Sequence, residues 1–563
     1  MPMTKKKLLL LISLFVISSG LQAAHRSLLQ KKEAALQVLT KADSHAPTRA
    51  AGSSDHLKVI AENAMLTVLG SQTGFAIIAN DDVFPAVIGY SGDRYDAETN
   101  TSLRWFVNAA SSSMSNYLSE GKKYAPVIPA GAFQTAVSPI LKTEWNQSKP
   151  YNNDCPYVSG REPYPTGCVA TALSQIMKHY NYPTKGIGQG TLSVVVNGVS
   201  KIISADFGNT TYDWKNMLNE YETVSYTAVQ AKAVSTLMLH CGIAVGMEYT
   251  PSGSGAYSNE ARSGLINKFG YDAGINLLFR NYYSTSQWMN IIYQELNASR
   301  PVYYTGSDAT AGGHAFVIDG YNEHGFVHVN WGWGPKGGNG YFDIALLNPT
   351  GYSFSDGQDM LVGVSPVKVM DAHSHVISKE KFTAYKFASM LNLSAGTMYN
   401  LAGESFTGEV AFVLMKDNTA KVLKSITASN IADRYSVGEL SGMITLPAGI
   451  SDGTYRLFVG SRSSQYAEDW QLVRRPSNQV NSYEVVISGG SVQSVDTGTT
   501  DDSWKTTGIR TIDTSASSAD VTVFDLQGHK LMHVPAVQFS NDLLPVGGVY
   551  VVKQGEKTMK VMR

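Results

Sequence analysis

Cys168 stands where a polypeptide can make a sulfur reactive. It opens the run Cys168-Val169-Ala170-Thr171-Ala172-Leu173-Ser174-Gln175-Ile176-Met177, with apolar residues at Val169, Ala172, Leu173, Ile176, Met177 and Tyr180. That spacing is the pattern of a helix burying one face. Pro165 and Gly167 turn the chain ahead of it, and Asn181 and Pro183 end it, because proline cannot continue the hydrogen-bond ladder. Cys168 is therefore expected in the first helical turn, where unsatisfied backbone N–H groups and the helix dipole favour negative charge. A thiol so placed can titrate at roughly 3.5–7.5 instead of about 8.5 and is then a nucleophile at neutral pH.

A thiolate nucleophile needs a base. Gly312-Gly313-His314-Ala315-Phe316-Val317-Ile318-Asp319-Gly320-Tyr321 and Val327-His328-Val329-Asn330-Trp331-Gly332-Trp333-Gly334 read as apolar, β-branched strands joined by the turn Asn322-Glu323-His324-Gly325. His314 follows Cys168 by 146 positions and Asn330 by 162. Papain-type enzymes carry their His and Asn about 130–150 residues after the cysteine, brought together only by the fold. His314 is expected as general base and acid, with Asn330 or the Trp331 ring holding the imidazole. The bland alternative is a cysteine packed as a small hydrophobe and a strand histidine with a core hydrogen bond. Helix start, order and spacing agree on catalysis instead.

At these residues the chain resembles the streptopain family of secreted bacterial cysteine proteases, in the papain-like clan. The resemblance rests on Thr166-Gly167-Cys168-Val169-Ala170-Thr171-Ala172, Gly312-Gly313-His314-Ala315-Phe316-Val317-Ile318-Asp319-Gly320 and Val329-Asn330-Trp331-Gly332-Trp333-Gly334. Further matches are Trp145-Asn146-Gln147 before Pro150-Tyr151-Asn152, Tyr212-Asp213-Trp214, and Cys241-Gly242-Ile243-Ala244-Val245-Gly246-Met247. It spans roughly residues 55–365 and implies an endopeptidase made as an inactive precursor. It also implies that Gln147 donates to the oxyanion, beside the Cys168 backbone N–H, where negative charge develops on the tetrahedral intermediate. Trp331, next to Asn330, is expected to shield the His314 interaction from water.

The elements that must position these residues lie in a chain of 563 residues, too long for one core. The fold class expected is α+β: a papain-like two-lobed catalytic domain with an α+β prodomain, followed by β-sandwich (immunoglobulin-like) C-terminal domains. Residues 1–24, with Lys5-Lys6-Lys7, an apolar run from Leu8 to Ile17 and Ala23-Ala24, read as a secretory signal peptide too short to span a bilayer. Residues 25–130 are the expected inhibitory prodomain, with a charged amphipathic helix over 25–50, short strands from Val59 to Tyr90 and a helix from Leu103 to about Leu118. It is expected to cover the cleft or displace His314. The polar stretch 121–136 reads as exposed and cleavable, placing the mature N-terminus near 122–137. Residues 131–365 form the catalytic domain, helical around Cys168 and sheet-like around His314, with Gly306 to Gly313 a small-residue loop. Met247 and Tyr249, ahead of the Ser252–Gly255 loop, are candidates to line a hydrophobic subsite.

Beyond it, alternating segments such as Glu409-Val410-Ala411-Phe412-Val413-Leu414-Met415 suggest an immunoglobulin-like β-sandwich over 366–488, a spacer or binding module. A Gly/Ser/Thr/Asp linker over 489–509 follows. Residues 510–563, with Val521-Thr522-Val523-Phe524-Asp525-Leu526-Gln527-Gly528-His529, resemble the C-terminal sorting domain of the type IX secretion system of Bacteroidetes. His529 departs from the Arg or Lys common there. Three cysteines, an odd number, leave at least one free thiol; Cys241 in its apolar run reads as a hydrophobe, and no disulfide is assigned.

The net charge of −1 gives no general basic surface for nucleic acid. No cofactor or metal is expected. The partners expected are protein or peptide substrates, the chain's own prodomain and, through the tail, the type IX secretion machinery. This implies a protein secreted, or held at the outer-membrane surface of a Gram-negative bacterium, by way of the periplasm. The rivals are a papain-fold transpeptidase or amidase, which shares the acyl-enzyme step, and a surface adhesin.

Overall fold

Two strands buried along their whole length anchor the N-terminal unit. The computed structural model describes residues 24–42, 56–131, 133–308, 312–347, 357–417, 419–466 and 469–502, then four C-terminal strands at 521–524, 530–534, 549–554 and 557–562. Helices α1 (Leu28–Ala42) and α2 (Thr101–Ser119) enclose β1 (Lys58–Glu62), β2 (Leu66–Gly70), β3 (Phe75–Ala79) and β4 (Val87–Ser91). Leu69, Ala76 and Ile78 pack with Ala35 of α1, whereas Leu66, Val68, Phe75 and Ile77 pack with Leu103 and Phe106 of α2. This is the period-two alternation of strands covered on both faces. The helix expected over 25–50 starts at Leu28; residues 43–50, the break at Gly52-Ser53-Ser54 and the signal peptide up to residue 23 lie outside the described residues.

The left lobe of the catalytic region is built on α3 (Cys168–Tyr180), the hairpin β5 (Gln189–Val196) and β6 (Val199–Asp206), α4 (Ala228–Ala244) and α5 (Ser258–Phe269). Leu173, Ile176 and Met177 of α3 share one core with Leu237, Met238 and Cys241 of α4 and Leu265 and Phe269 of α5. Asn181 in the left-handed conformation (φ 48°) ends α3 where the sequence predicts.

The right lobe holds β7 (Asn276–Phe279), α6 (Thr285–Asn297), β8 (Val302–Asp308), β9 (Gly312–Tyr321), β10 (Val327–Asn330), β11 (Gly340–Phe342) and β12 (Asp359–Val362). Its sheet does not stop at the catalytic region. The strand order is β1-β2-β3-β4-β11-β10-β9-β8-β12-β7, so the N-terminal unit continues the same antiparallel sheet through β4 and β11. The Gly306 to Gly313 loop expected from small residues is mostly strand, with Gly306 opposite His314; only 309–311 lie outside the described residues. In the 121–136 stretch residues 121–123, Ala125 and residues 134–136 are exposed, but Pro126, Val127, Pro129 and Phe133 are half-buried, and Tyr124 is buried, donating its hydroxyl to both Asp343 oxygens at 2.8 Å.

Two antiparallel sheets then face each other. One contains Val376–Ser378, Thr383–Phe387, Met390–Asn400 and Ser436–Ile444; the other contains Phe406–Lys416, Thr419–Ile431, Gly453–Ser463, Gln471–Leu472, Ser482–Ser488 and Ser491–Val495. Leu391 and Leu393 meet Phe412, Val459 and Val485 between the layers, giving the expected sandwich. The linker expected from residue 489 begins later, because Ser491–Val495 is a paired strand. Residues 503–520 lie outside the described residues. The last four strands form their own antiparallel sheet.

Candidate active site

Gly167 lets the chain enter α3 at φ +87°, and a Cβ there would meet the Met247 sulfur at 2.6 Å and the Ser254 carbonyl oxygen at 2.9 Å. The preceding loop is tied down by Asn152 Nδ2 donating to Pro163 O (3.0 Å) and Ser254 Oγ donating to Pro165 O (2.8 Å). Cys168 is thereby fixed as the first residue of α3 and lines a cleft together with His314. Burial pushes its thiol up, but the charge and the hydrogen bond of His314, with the Ala315 and Val169 backbone N–H groups, outweigh this and hold it below its ordinary value. Cys155 and Cys241 are also free and buried, and burial pushes both up to about 12. Of the three thiols, Cys168 alone is lowered.

His314 comes from β9. Its Nε2 lies 3.1 Å from the Trp331 carbonyl oxygen, and its ring stacks on Trp333, with centroids 5.6 Å apart and planes 15° from parallel. Two expectations change here. Asn330 gives His314 no hydrogen bond: its Oδ1 accepts from Gln175 Nε2 (3.1 Å) and its Nδ2 donates to Thr143 O (2.7 Å). The main chain one residue further on makes the contact expected of its side chain. The Trp331 ring does not cover the histidine either. It is sunk between Phe316 and Phe342, donating Nε1–H to Gly338 O, and Trp333 occupies the shielding position.

Gln147 is buried, and its carbonyl accepts from the Thr166 N–H (3.1 Å), two residues ahead of Cys168. Gln175 was not singled out by sequence reasoning. It lies two turns along α3, donates to Asn330 and accepts from the Trp145 N–H (3.0 Å), joining the helix to both flanking segments. Its signal was available only as a glutamine seven positions after Cys168, and so two turns along the same side of α3. Met247 and Tyr249 are buried rather than lining a subsite, while their neighbours Val245, Gly246 and Glu248 reach the cleft.

The N-terminal unit grips the loop beside His314. Trp333 Nε1–H donates to Ser102 Oγ (3.2 Å), Asn100 Nδ2 to Gly337 O (2.6 Å), the Gly338 N–H to Asp93 Oδ2 (3.0 Å) and Ser91 Oγ to Asn339 O (2.7 Å). Asn100 also caps α2, accepting from the Leu103 N–H (2.8 Å). Trp105 packs so tightly on Gly306, opposite His314, that a Cβ at that glycine would strike its indole. None of the described residues of 25–130 lines the cleft itself. The described contacts of this unit form a clasp on the 333–339 loop, beside the histidine that the prodomain is expected to displace if it does not cover the cleft.

A cysteine heading a buried helix, faced by a histidine on the sheet of a second lobe, defines a papain-like thiol protease. The model of the Peptidase C10 family matches residues 145–342. Streptopain of Streptococcus pyogenes is 32% identical over 405 residues, covering 65% of this chain and 100% of that protein. Thiol protease/hemagglutinin PrtT of Porphyromonas gingivalis is 30% identical over 460 residues, covering 75% of this chain but only 51% of that larger relative. A solved fragment of Prevotella intermedia prointerpain A is 40% identical, with a TM-score of 0.51, covering 56% of this chain and 98% of that one. The chain belongs to the Peptidase C10 family. It is a cysteine endopeptidase made as a zymogen, with an N-terminal prodomain ahead of the catalytic region.

Proposed function

We propose that Cys168 attacks the scissile carbonyl of a protein substrate and forms a thioester, while His314 delivers a proton to the departing amine. His314 then takes a proton from water, which hydrolyses the thioester and restores the thiol. With the Nε2–H donating to the Trp331 carbonyl, Nδ1 is the nitrogen left for the sulfur. Gln147 and the Cys168 backbone N–H are the proposed oxyanion donors. The observation that carries this reading is that Cys168, at the head of α3, lines one cleft with His314, whose charge and hydrogen bond lower the thiol against its burial. Mass spectrometry of the wild type beside Cys168→Ala, each treated with an epoxide thiol inhibitor and then offered casein, tests it. One adduct on Cys168 with loss of cleavage is expected; casein cleavage by the alanine variant refutes it.

The chain is further proposed to be exported and then sorted to the surface or medium by its tail, through the type IX machinery. The support is the signal-peptide pattern of residues 1–24 and the tail motif around Phe524 and Gly528. Deleting residues 510–563 should trap an active enzyme in the periplasm, and normal surface appearance of the truncated chain would refute the sorting role.

A further inference from the structure

The cleft that holds Cys168 and His314, about 1420 Å³ in volume, is not closed by the two catalytic lobes alone. Its outer wall comes from the β-sandwich, through Lys379, Tyr399, Leu401 and Arg434. A spacer would hang clear of the site. This domain is instead bolted to the enzyme by polar contacts at several points. Arg262 of α5, itself buried, pairs with Glu404 (2.9 Å); His375 Nε2 lies 3.0 Å from Asn276 Oδ1; and the Ser477 N–H donates to Asn281 O (3.1 Å). Arg474 pairs with Asp502 (2.6 Å), lies over the Tyr283 ring at 4.1 Å, and Asp502 in turn accepts from Gln287 of α6. The wall is therefore fixed relative to Cys168.

Charge is divided between the two sides of this cleft. The catalytic side carries Glu248, Glu260 and Asp359, the last engaged by Ser258 Oγ at 2.6 Å. The sandwich side carries the cations Lys379 and Arg434, both exposed. Arg434 is held in an unusual way. It is a non-glycine residue at φ +67°, its N–H donates to Asn400 O (2.7 Å), and its guanidinium lies over the Tyr257 ring at 5.4 Å. Residues held in that backbone region persist where the surroundings over-determine them, which is common at ligand clamps. Its neighbour Asp433 is 3.6 Å from Nε and already accepts from the Gly403 N–H, so the guanidinium edge keeps donors for a ligand.

A substrate bound in extended form turns alternate side chains to opposite walls. We propose that the β-sandwich is part of the substrate-binding site, and that Arg434 and Lys379 form an outer subsite for an acidic side chain of the substrate, away from the scissile bond. The acids of the opposite wall repel such a side chain and direct it toward the sandwich. This rests on Cys168 and His314 being the catalytic pair.

The test uses the mature enzyme with its sandwich and matched quenched peptides carrying Glu, Gln or Lys at each position around one cleavable core. At one outer position Glu should exceed Gln by about tenfold in kcat/KM, the scale of a charge-assisted hydrogen bond. That ratio should fall toward one in Arg434→Ala and in Lys379→Ala with Arg434→Ala, and recover in part in Arg434→Lys. The same ratio should appear as a difference in Kd when uncleaved peptides bind the Cys168→Ala enzyme, and should shrink with added salt. A Glu-to-Gln ratio near one at every position overturns the subsite. So does a uniform loss on all peptides in Arg434→Ala with the ratio kept, which would leave Arg434 as a mere support for Tyr257. Cleavage by Cys168→Ala in the same assay overturns the catalytic reading instead.

Discussion

Trp333 joins His314 to the prodomain: its indole stacks on the imidazole and donates its N–H to Ser102 of α2. The same helix places Trp105 against Gly306, across the strand pair from His314. The described part of the prodomain thus acts on the surroundings of the histidine.

Loosening that clasp should release the enzyme early. Trp105→Ala deletes a buried indole and should destabilise the prodomain by about 3–5 kcal/mol. Intact-mass time courses of the purified precursor should show faster loss of the prodomain than in wild type. An unchanged time course together with an unchanged melting temperature would rule out this contact as a restraint.

The clasp should respond to pH through Asp93. Burial, opposed by the hydrogen bond from the Gly338 N–H, pushes its carboxyl up to about 6; a freed carboxyl titrates at about 3.9. The docked form therefore binds the proton more tightly. Its contribution to docking is complete below about pH 4 and is lost as pH rises through about 6. In the Cys168→Ala precursor, which cannot complicate matters by cleaving itself, the melting temperature should rise between pH 7.5 and 5 by more than in the same precursor carrying Asp93→Asn. Parallel curves for the two would assign the dependence to Glu144 or Asp343, whose carboxyls are raised in the same region.

Asn330 should prove a structural residue first. Asn330→Ala strands Gln175 Nε2 and the Thr143 carbonyl, an expected cost of about 1–3 kcal/mol. Gln175→Ala should cost a similar amount, and the double variant should cost less than the sum, because both remove one hydrogen bond. Denaturant unfolding measures this. The accompanying loss of kcat should be small beside that of His314→Ala, and a loss equal to it would return Asn330 to the catalytic pair.

Gln147→Ala should lower kcat by about 10²–10³ with little change in KM, the signature of a donor used only when the oxyanion forms. Unchanged turnover would move that role to another group.

Cys168, His314 and the two-lobed fold were legible because each is written locally. A helix start follows a turn, a histidine sits in a β-branched run, and the spacing fits. What could not be read depends on register and on distant pairing. Whether Asn330 or the Trp331 main chain meets His314 turns on a bulge between His328 and Val329 in the β10–β9 ladder. Trp331 and Trp333 are indistinguishable by composition, yet one is core and the other lies on the imidazole. The contribution of Arg434 to the cleft needs a contact between domains that no local pattern announces. Ser491–Val495 reads as linker because serine is frequent there, and it is a strand because Val485-Val486-Ile487-Ser488 offers an edge.

When the prodomain leaves, β11 loses its neighbour β4, and Gly340-Tyr341-Phe342 becomes a sheet border with unpaired amides and carbonyls. Tyr341 also loses the Tyr90 ring stacked on it at 5.5 Å. A bare border is a template for foreign strands and for self-association. Here it is only three residues long, which limits how many rungs an intruding chain can form. Maturation therefore leaves a colloidal liability whose size is capped by the shortness of one strand.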